Sequence, residues 1–185
     1  MQFVFNYHTE QDDELVEILD ANQQPFMVAP LIQARKQALS FKAVITLLHG
    51  PQNAEDGGFK NGLYVQQRSK FSHRYPEFWD VSAIRHVRAG ESSQEAATRS
   101  LYEELGVRCT QCNYKAHLES RPEFEHIKLS VFHALAPATT PAPDHKGISR
   151  LLCLGPKELK VLLRDFKEQT TPALRLVLEA GLAFP

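Results

Sequence analysis

Three cysteines, two methionines and one tryptophan are all that the 185 residues contain of these types. Three cysteines cannot form the framework of a disulfide-stapled secreted module, so a reducing, cytoplasmic setting is expected. There is no run of 18 or more apolar residues, which excludes a membrane-spanning helix of the usual kind. Residues 1–13 lack the basic start and long apolar stretch of a secretory signal. Charge of one sign is missing too: 21 basic residues face 22 acidic ones, for a formal net charge of −1. That balance argues against a chain that coats nucleic acid or an acidic membrane, while leaving room for a local basic pocket. No internal repeat or low-complexity tract is visible. With 43% hydrophobic residues, the chain can bury one good core but not two large ones. A single domain over 1–185 is expected, with 1–40 as an N-terminal hairpin-and-helix extension.

Residues 14–19 read as a strand, Asp20-Ala21-Asn22 as a turn, and 26–29 as the return strand. A short helical stretch covers 31–39. The β-branched run 43–48 suits a buried strand. Residues 51–62 hold Pro, Asn, Asp and three Gly and read as a loop. Strands are expected at 63–67, 109–118, 127–136 and 149–154, with an extended segment at 78–82. Helices are expected at 93–105, 156–165 and 172–182, and Pro141-Ala142-Pro143 marks an exposed loop. Strands on both sides of a central helix, closed by a helical tail, predict an α/β/α sandwich with a mixed sheet.

The 93–105 helix has the clearest signals. Ser92-Ser93-Gln94-Glu95 is a capping-box pattern, and Gly106 is placed to end the helix in the left-handed conformation. Ala97, Leu101 and Leu105 form the expected buried stripe, with Arg99, Ser100, Glu103 and Glu104 away from it. Arg99 and Glu103 are spaced to pair. Two adjacent carboxylates on a rigid helix suit a hard divalent cation such as Mg²⁺, which bridges to phosphates; they equally suit a solvated helix face.

The residues around this helix resemble the Nudix box, G-x5-E-x7-R-E-U-x-E-E-x-G-U with U aliphatic. Glu91, Arg99, Leu101, Glu103, Glu104, Gly106 and Val107 match seven of its nine defined positions at the right spacing. Leu63 to Ser69 resembles the family's strand ending in Gln-Arg, which places Arg68 toward substrate. Phe78 to Ser82 is similar to the segment approaching the box, and Pro156-Lys157-Glu158-Leu159 to the helix after the last core strand. Asp13-Glu14-Leu15 and His86-Val87 resemble the branch containing isopentenyl diphosphate isomerase and its hydrolase relatives. The resemblance implies a Nudix-type α/β/α sandwich. It also implies metal-dependent hydrolysis of a diphosphate linkage in a nucleoside diphosphate-type substrate, with Mg²⁺ or Mn²⁺ as cofactor. Glu104 would be the principal metal ligand and Glu103 the second, with Arg99 orienting the glutamates and Glu91 supporting the loop and the metal shell. Arg85, Arg68 and His86 would face substrate. The isomerase chemistry would also need a cysteine near position 84, which is Ile84.

Two positions depart from the box. Ser100 stands where the family has a glutamate that binds metal or acts as base, and a serine hydroxyl is no base at neutral pH. Arg85 replaces the opening glycine. A guanidinium about 4 Å from a metal site is repelled by roughly 4 kcal/mol per unit charge at an effective dielectric of about 20. One reading gives Arg85 part of the cation's role, gripping a diphosphate through bidentate contacts; the other turns it to solvent. Glu119, Glu123, Glu125 and Asp144 are candidate replacement carboxylates. Cys109-Thr110-Gln111-Cys112 has metal-like spacing but no second ligand pair, and in a strand its cysteines would face opposite sides. Two functions stand: a hydrolase, and a catalytically inactive Nudix domain that binds a nucleotide or diphosphate. A third, partner binding through the helical tail, has no specific support. Whether the chain forms a homodimer is left open.

Overall fold

The computed structural model describes residues 14–52, 60–109, 111–118, 124, 126–137, 141–143 and 146–184. A hairpin of β1 (Leu15–Leu19) and β2 (Pro25–Pro30) leads into the short helix α1 (Leu31–Lys36). Then come β3 (Phe41–Gln52), β4 (Lys60–Arg68), β5 (Trp79–Asp80) and β6 (Ala83–His86). The box helix α2 (Ser93–Leu105) is followed by β7 (Asn113–Leu118), β8 (Ile127–Leu135) and β9 (Ile148–Leu154). Helices α3 (Pro156–Asp165) and α4 (Pro172–Glu179) close the fold.

The main sheet runs β5-β4-β3-β8-β7, with β6 added on β3 and β9 on β4. Strands β3 and β8 are parallel and the other pairs antiparallel, so the sheet is mixed. Long buried runs such as Val44, Ile45, Leu47 and Leu48 mark a strand covered on both faces. Two apolar clusters result. One joins α2, through Ala97, Leu101 and Leu105, to Val44, Leu48 and Phe132. The other joins the hairpin, α1, α3 and α4 to Ile45, Leu47 and Val131. Helical layers on both faces give the expected α/β/α sandwich. Among the described residues no helix is long and apolar enough to cross a membrane.

Several boundaries differ from expectation. The supposed loop at 51–62 is partly strand, since Gly50, Pro51 and Gln52 pair with Gly62, Asn61 and Lys60. Local composition pointed to a turn, but the ladder extends past it to the undescribed residues 53–59. The strand expected from 109 starts at Asn113, so Cys109 and Cys112 lie in the connection ahead of it. There the Thr98 hydroxyl reaches Cys112 Sγ at 3.6 Å. The last helix ends at Glu179 rather than 182.

Both ends of α2 are set locally, as its sequence predicts. Ser92 Oγ accepts from Glu95 N at 3.2 Å, and Glu95 Oε2 accepts from Ser92 N at 2.8 Å. Gly106 sits at φ 64°, and a Cβ there would meet the Ala142 carbonyl at 2.8 Å. Ala142 N in turn donates to Leu105 O at 2.8 Å, which pins the Pro-rich loop to the helix end.

Candidate functional site

The box loop and helix are organised by Arg99. Its guanidinium donates to both oxygens of Glu91, at 2.8 and 2.9 Å, and to the His86 carbonyl at 2.9 Å. Its Nη1 reaches Glu103 Oε2 at 3.1 Å, the expected i,i+4 pair. Glu91 Oε2 also accepts from the Arg88 backbone N at 2.9 Å, which closes the loop between β6 and α2. Burial alone would lower the Arg99 pKa, but the hydrogen bond and charge of Glu91, with Glu103 and Glu14, raise it.

Glu104 is buried, contrary to the expectation that it lies off the helix's covered face. Ser100 is also buried, with no exposed surface. The reason is the sheet beneath this second face of α2: Ser100 meets Thr46 on β3, and Glu104 meets Gln66 on β4 and Ile84 on β6, a strand that the sequence does not predict. Glu104 Oε2 accepts from Gln66 Nε2 at 2.7 Å, and Oε1 accepts from Ile84 N at 3.1 Å. The Arg85 Nε lies 3.4 Å from Glu104 Oε1 and 3.5 Å from Glu103 Oε2. Burial pushes the Glu104 carboxyl above its ordinary range, while Arg85, Gln66 and the Ile84 amide pull it back and Asp80 adds to the rise. Its contacts here are donors, as a carboxylate requires. The Ser100 hydroxyl donates to the Ala97 carbonyl at 2.7 Å and shares a 3.0 Å hydrogen bond with Thr46 Oγ1 on β3.

Three residues expected to meet substrate are interior. Arg85 is 3% exposed with its Nε beside the two glutamates, so the solvent-facing arrangement is not seen. Arg68 is 3% exposed, pairs with Asp80 at 3.1 Å and donates to the Arg74 carbonyl at 3.0 Å. Asp80 in turn accepts from the Thr171 hydroxyl, at the start of α4, at 2.7 Å. Arg68 thus ties β4 and β5 to the helical tail. The buried His86 pairs through Nε2 with Glu14. Glu14 also takes the Arg88 guanidinium, and Arg88 Nη2 reaches Glu103 Oε1 at 3.2 Å. Burial would raise the Glu14 pKa, but Arg88, His86 and Arg99 together hold it low.

Glu14, Arg88 and Gln66 were not singled out as site residues. Gln66, in the Gln-Arg strand ending, and Glu14, in the Asp13-Glu14-Leu15 segment, belong to stretches that resemble the family, while Arg88 carries no such signal. Glu14 joins the box from 89 residues before Glu103 in the chain, as the numbering shows, and no local pattern announces that. The replacement carboxylates Glu119, Glu123, Glu125 and Asp144 lie outside the described residues.

The residues fit a resident divalent ion poorly. Among the described residues no three His, Cys, Asp or Glu side chains converge as a metal-ligand set. The oxygens of Glu91, Glu103 and Glu104 already accept from arginine, amide or backbone N–H groups. Beside this network an open cleft of about 820 Å³ follows the outer flank of α2, touching Glu91, Arg99, Thr98, Tyr102 and Arg108. The Arg108 guanidinium lies 5.0 Å from the centre of the half-exposed Tyr102 ring.

A family profile described as a NUDIX domain matches residues 43–175. An uncharacterised Nudix hydrolase of Pseudomonas aeruginosa is 30% identical over 102 residues, which is 55% of this chain and 56% of that protein's length. An isopentenyl-diphosphate Delta-isomerase of Cereibacter sphaeroides is 26% identical over 154 residues, covering 80% of this chain and 81% of its own. Among solved structures, a Deinococcus radiodurans protein has a TM-score of 0.63 at 20% identity, covering 88% of this chain and 97% of that one. The NUDIX domain of Shewanella oneidensis NrtR, crystallised with ADP ribose, has a TM-score of 0.54 at 16% identity, covering 77% and 86%. At such identities the two structures speak for the fold alone.

Proposed function

The chain belongs to the Nudix family, and on that premise we propose that it binds a nucleotide or a related diphosphate compound and has given up most or all hydrolysis of it. Family membership supports pyrophosphohydrolase-type chemistry, and Nudix hydrolases generally use divalent metal ions. The observation that carries the proposal is Ser100. Its hydroxyl is fully buried and directed at Ala97 and Thr46, so the position that would supply a base or metal ligand supplies neither.

The ligand reading is supported by the cleft along α2. Arg108 pairs with no carboxylate among the described residues, and it stacks on the exposed Tyr102 ring. A flat ring and a cation suit a base and a phosphate, respectively. The Shewanella domain of the same fold was crystallised with ADP ribose, which makes that compound the first probe. Isomerase activity is not proposed: Ile84 stands where the isomerase cysteine is needed, and it is buried in the core.

A second reading, metal-dependent hydrolysis by the chain as it stands, is favoured by the retained Glu91, Arg99, Glu103 and Glu104. One experiment separates the two. Phosphate release in Mn²⁺ and Mg²⁺ over a panel of nucleoside diphosphate derivatives is measured for the wild type and Ser100→Glu, beside calorimetric binding of ADP ribose to the wild type and Arg108→Ala. The expected result is wild-type release at the metal-free blank, with ADP ribose binding weakened at least tenfold by Arg108→Ala. Metal-dependent turnover by the wild type would establish the hydrolase instead.

A further inference from the structure

We propose that Arg85 is a built-in counter-ion that has taken the place of a divalent metal, so that the adjacent Glu103 and Glu104 carboxylates have a cation beside them and the box is stable without any metal ion. The placement is specific. The Arg85 Nε lies 3.4 Å from Glu104 Oε1 and 3.5 Å from Glu103 Oε2, ion-pair contacts without hydrogen-bond geometry, and the arginine is buried on β6. Two adjacent glutamates of one helix turn, one of them buried, need a cation close by, because an unpaired buried carboxylate is strongly destabilising. Arg85 meets that need from inside the fold.

The charge count points the same way. Relative to the box pattern, glycine to Arg85 adds one positive charge, and glutamate to Ser100 removes one negative charge. The two departures together change the local charge by two units, the charge that Mg²⁺ or Mn²⁺ carries. They are also neighbours in space: Arg85 contacts Glu104, which lies one helical turn beyond Ser100. The rest of the network is likewise self-contained. Arg88 and Arg99 hold Glu14, Glu91 and Glu103, and His86 holds Glu14. An incoming dication would have to displace a guanidinium that cannot lose its charge.

This inference deepens the reading of the box as non-hydrolytic, yet its test contains no nucleotide, so failure of ligand binding leaves it standing. Mn²⁺ is titrated into the full chain and its free signal followed by electron paramagnetic resonance, beside thermal unfolding in EDTA and in MnCl₂. The wild type is expected to leave Mn²⁺ free up to about 1 mM and to unfold at the same temperature in both. The Arg85→Gly/Ser100→Glu double variant is expected to take up one Mn²⁺ per chain and to gain about 5 °C or more in MnCl₂. A wild type that binds one Mn²⁺ below 1 mM, and loses it in Glu104→Gln, overturns the proposal. So does a folded double variant that binds none. Should the double variant fail to fold, the wild-type titration decides alone.

Discussion

Removing the Arg85 charge should destabilise the fold in a way that identifies its partner. Arg85→Met keeps much of the apolar stem but leaves Glu104 buried with only the Gln66 and Ile84 N–H groups. At the observed 3.4 Å, the lost attraction amounts to about 5 kcal/mol at an effective dielectric of ~20. Breaking a buried pair from one side typically costs about 3–5 kcal/mol, which lowers the melting temperature of a chain this size by roughly 10 °C. The variant has a second signature. Without Arg85 the pKa of Glu104 rises further above its unfolded value, so the deficit is largest at alkaline pH and shrinks as acid protonates the carboxyl. Trp79, the single tryptophan and 9% exposed, reports urea unfolding by its fluorescence. Arg85→Met/Glu104→Gln should recover most of the loss at pH 8. A deficit under about 1 kcal/mol in the single variant, or no recovery in the double, would refute the counter-ion argument.

Three further outcomes are expected. Ser92→Ala removes the α2 cap and should cost about 1 kcal/mol in urea unfolding, with little change in the spectrum of the folded state. Asp80→Asn removes the carboxylate charge 3.1 Å from the buried Arg68 and weakens the Thr171 bond, so a loss of about 3 kcal/mol is expected, measured by thermal denaturation. His49 stacks on His133 in the interior, and burial first, with the His133 charge, lowers its pKa to about 4. Its neutral form is therefore favoured by folding: the stabilisation is complete above about pH 6.5 and is lost as pH falls through 4. The loss is about 1.4 kcal/mol by pH 5.5 and about 3 kcal/mol in full, and His49→Gln should flatten that limb of a stability–pH curve.

What was legible in the sequence was local. The ends of α2 follow from Ser92, Glu95 and Gly106, each within one turn of the boundary it sets, and the helix spans the expected 93–105. The sandwich followed from the order of strand-like and helix-like segments. The NUDIX match over 43–175 agrees with a box read from seven residues at fixed spacing. Strand β3 was read from its apolar run but came out shorter than it is, because Gly50 and Pro51 resemble turn residues and are held extended by β4 across the hairpin.

What was not legible depends on distant partners. Ala83-Ile84-Arg85-His86 carries two cationic or polar residues in four, so nothing local marks it as a buried strand. It is one because β3 pairs with it from Ala43 to Thr46 and α2 packs over it. With β6 beside β3, the face of α2 bearing Ser100 and Glu104 is covered, by Thr46 and by Ile84 in turn, and a helix that looked amphipathic along one stripe is buried along two. The charges then follow. Arg85 is interior where Glu103 and Glu104 face it, and His86 where Glu14 arrives from the hairpin. The hairpin is therefore part of the box's support rather than an appendage: Val16 and Ile18 are in the core, and Glu14 bonds directly to the arginine that braces Glu103. Read alone, Arg85 looks like a charge that repels a metal; read with its contacts, it is the cation that the two glutamates already have.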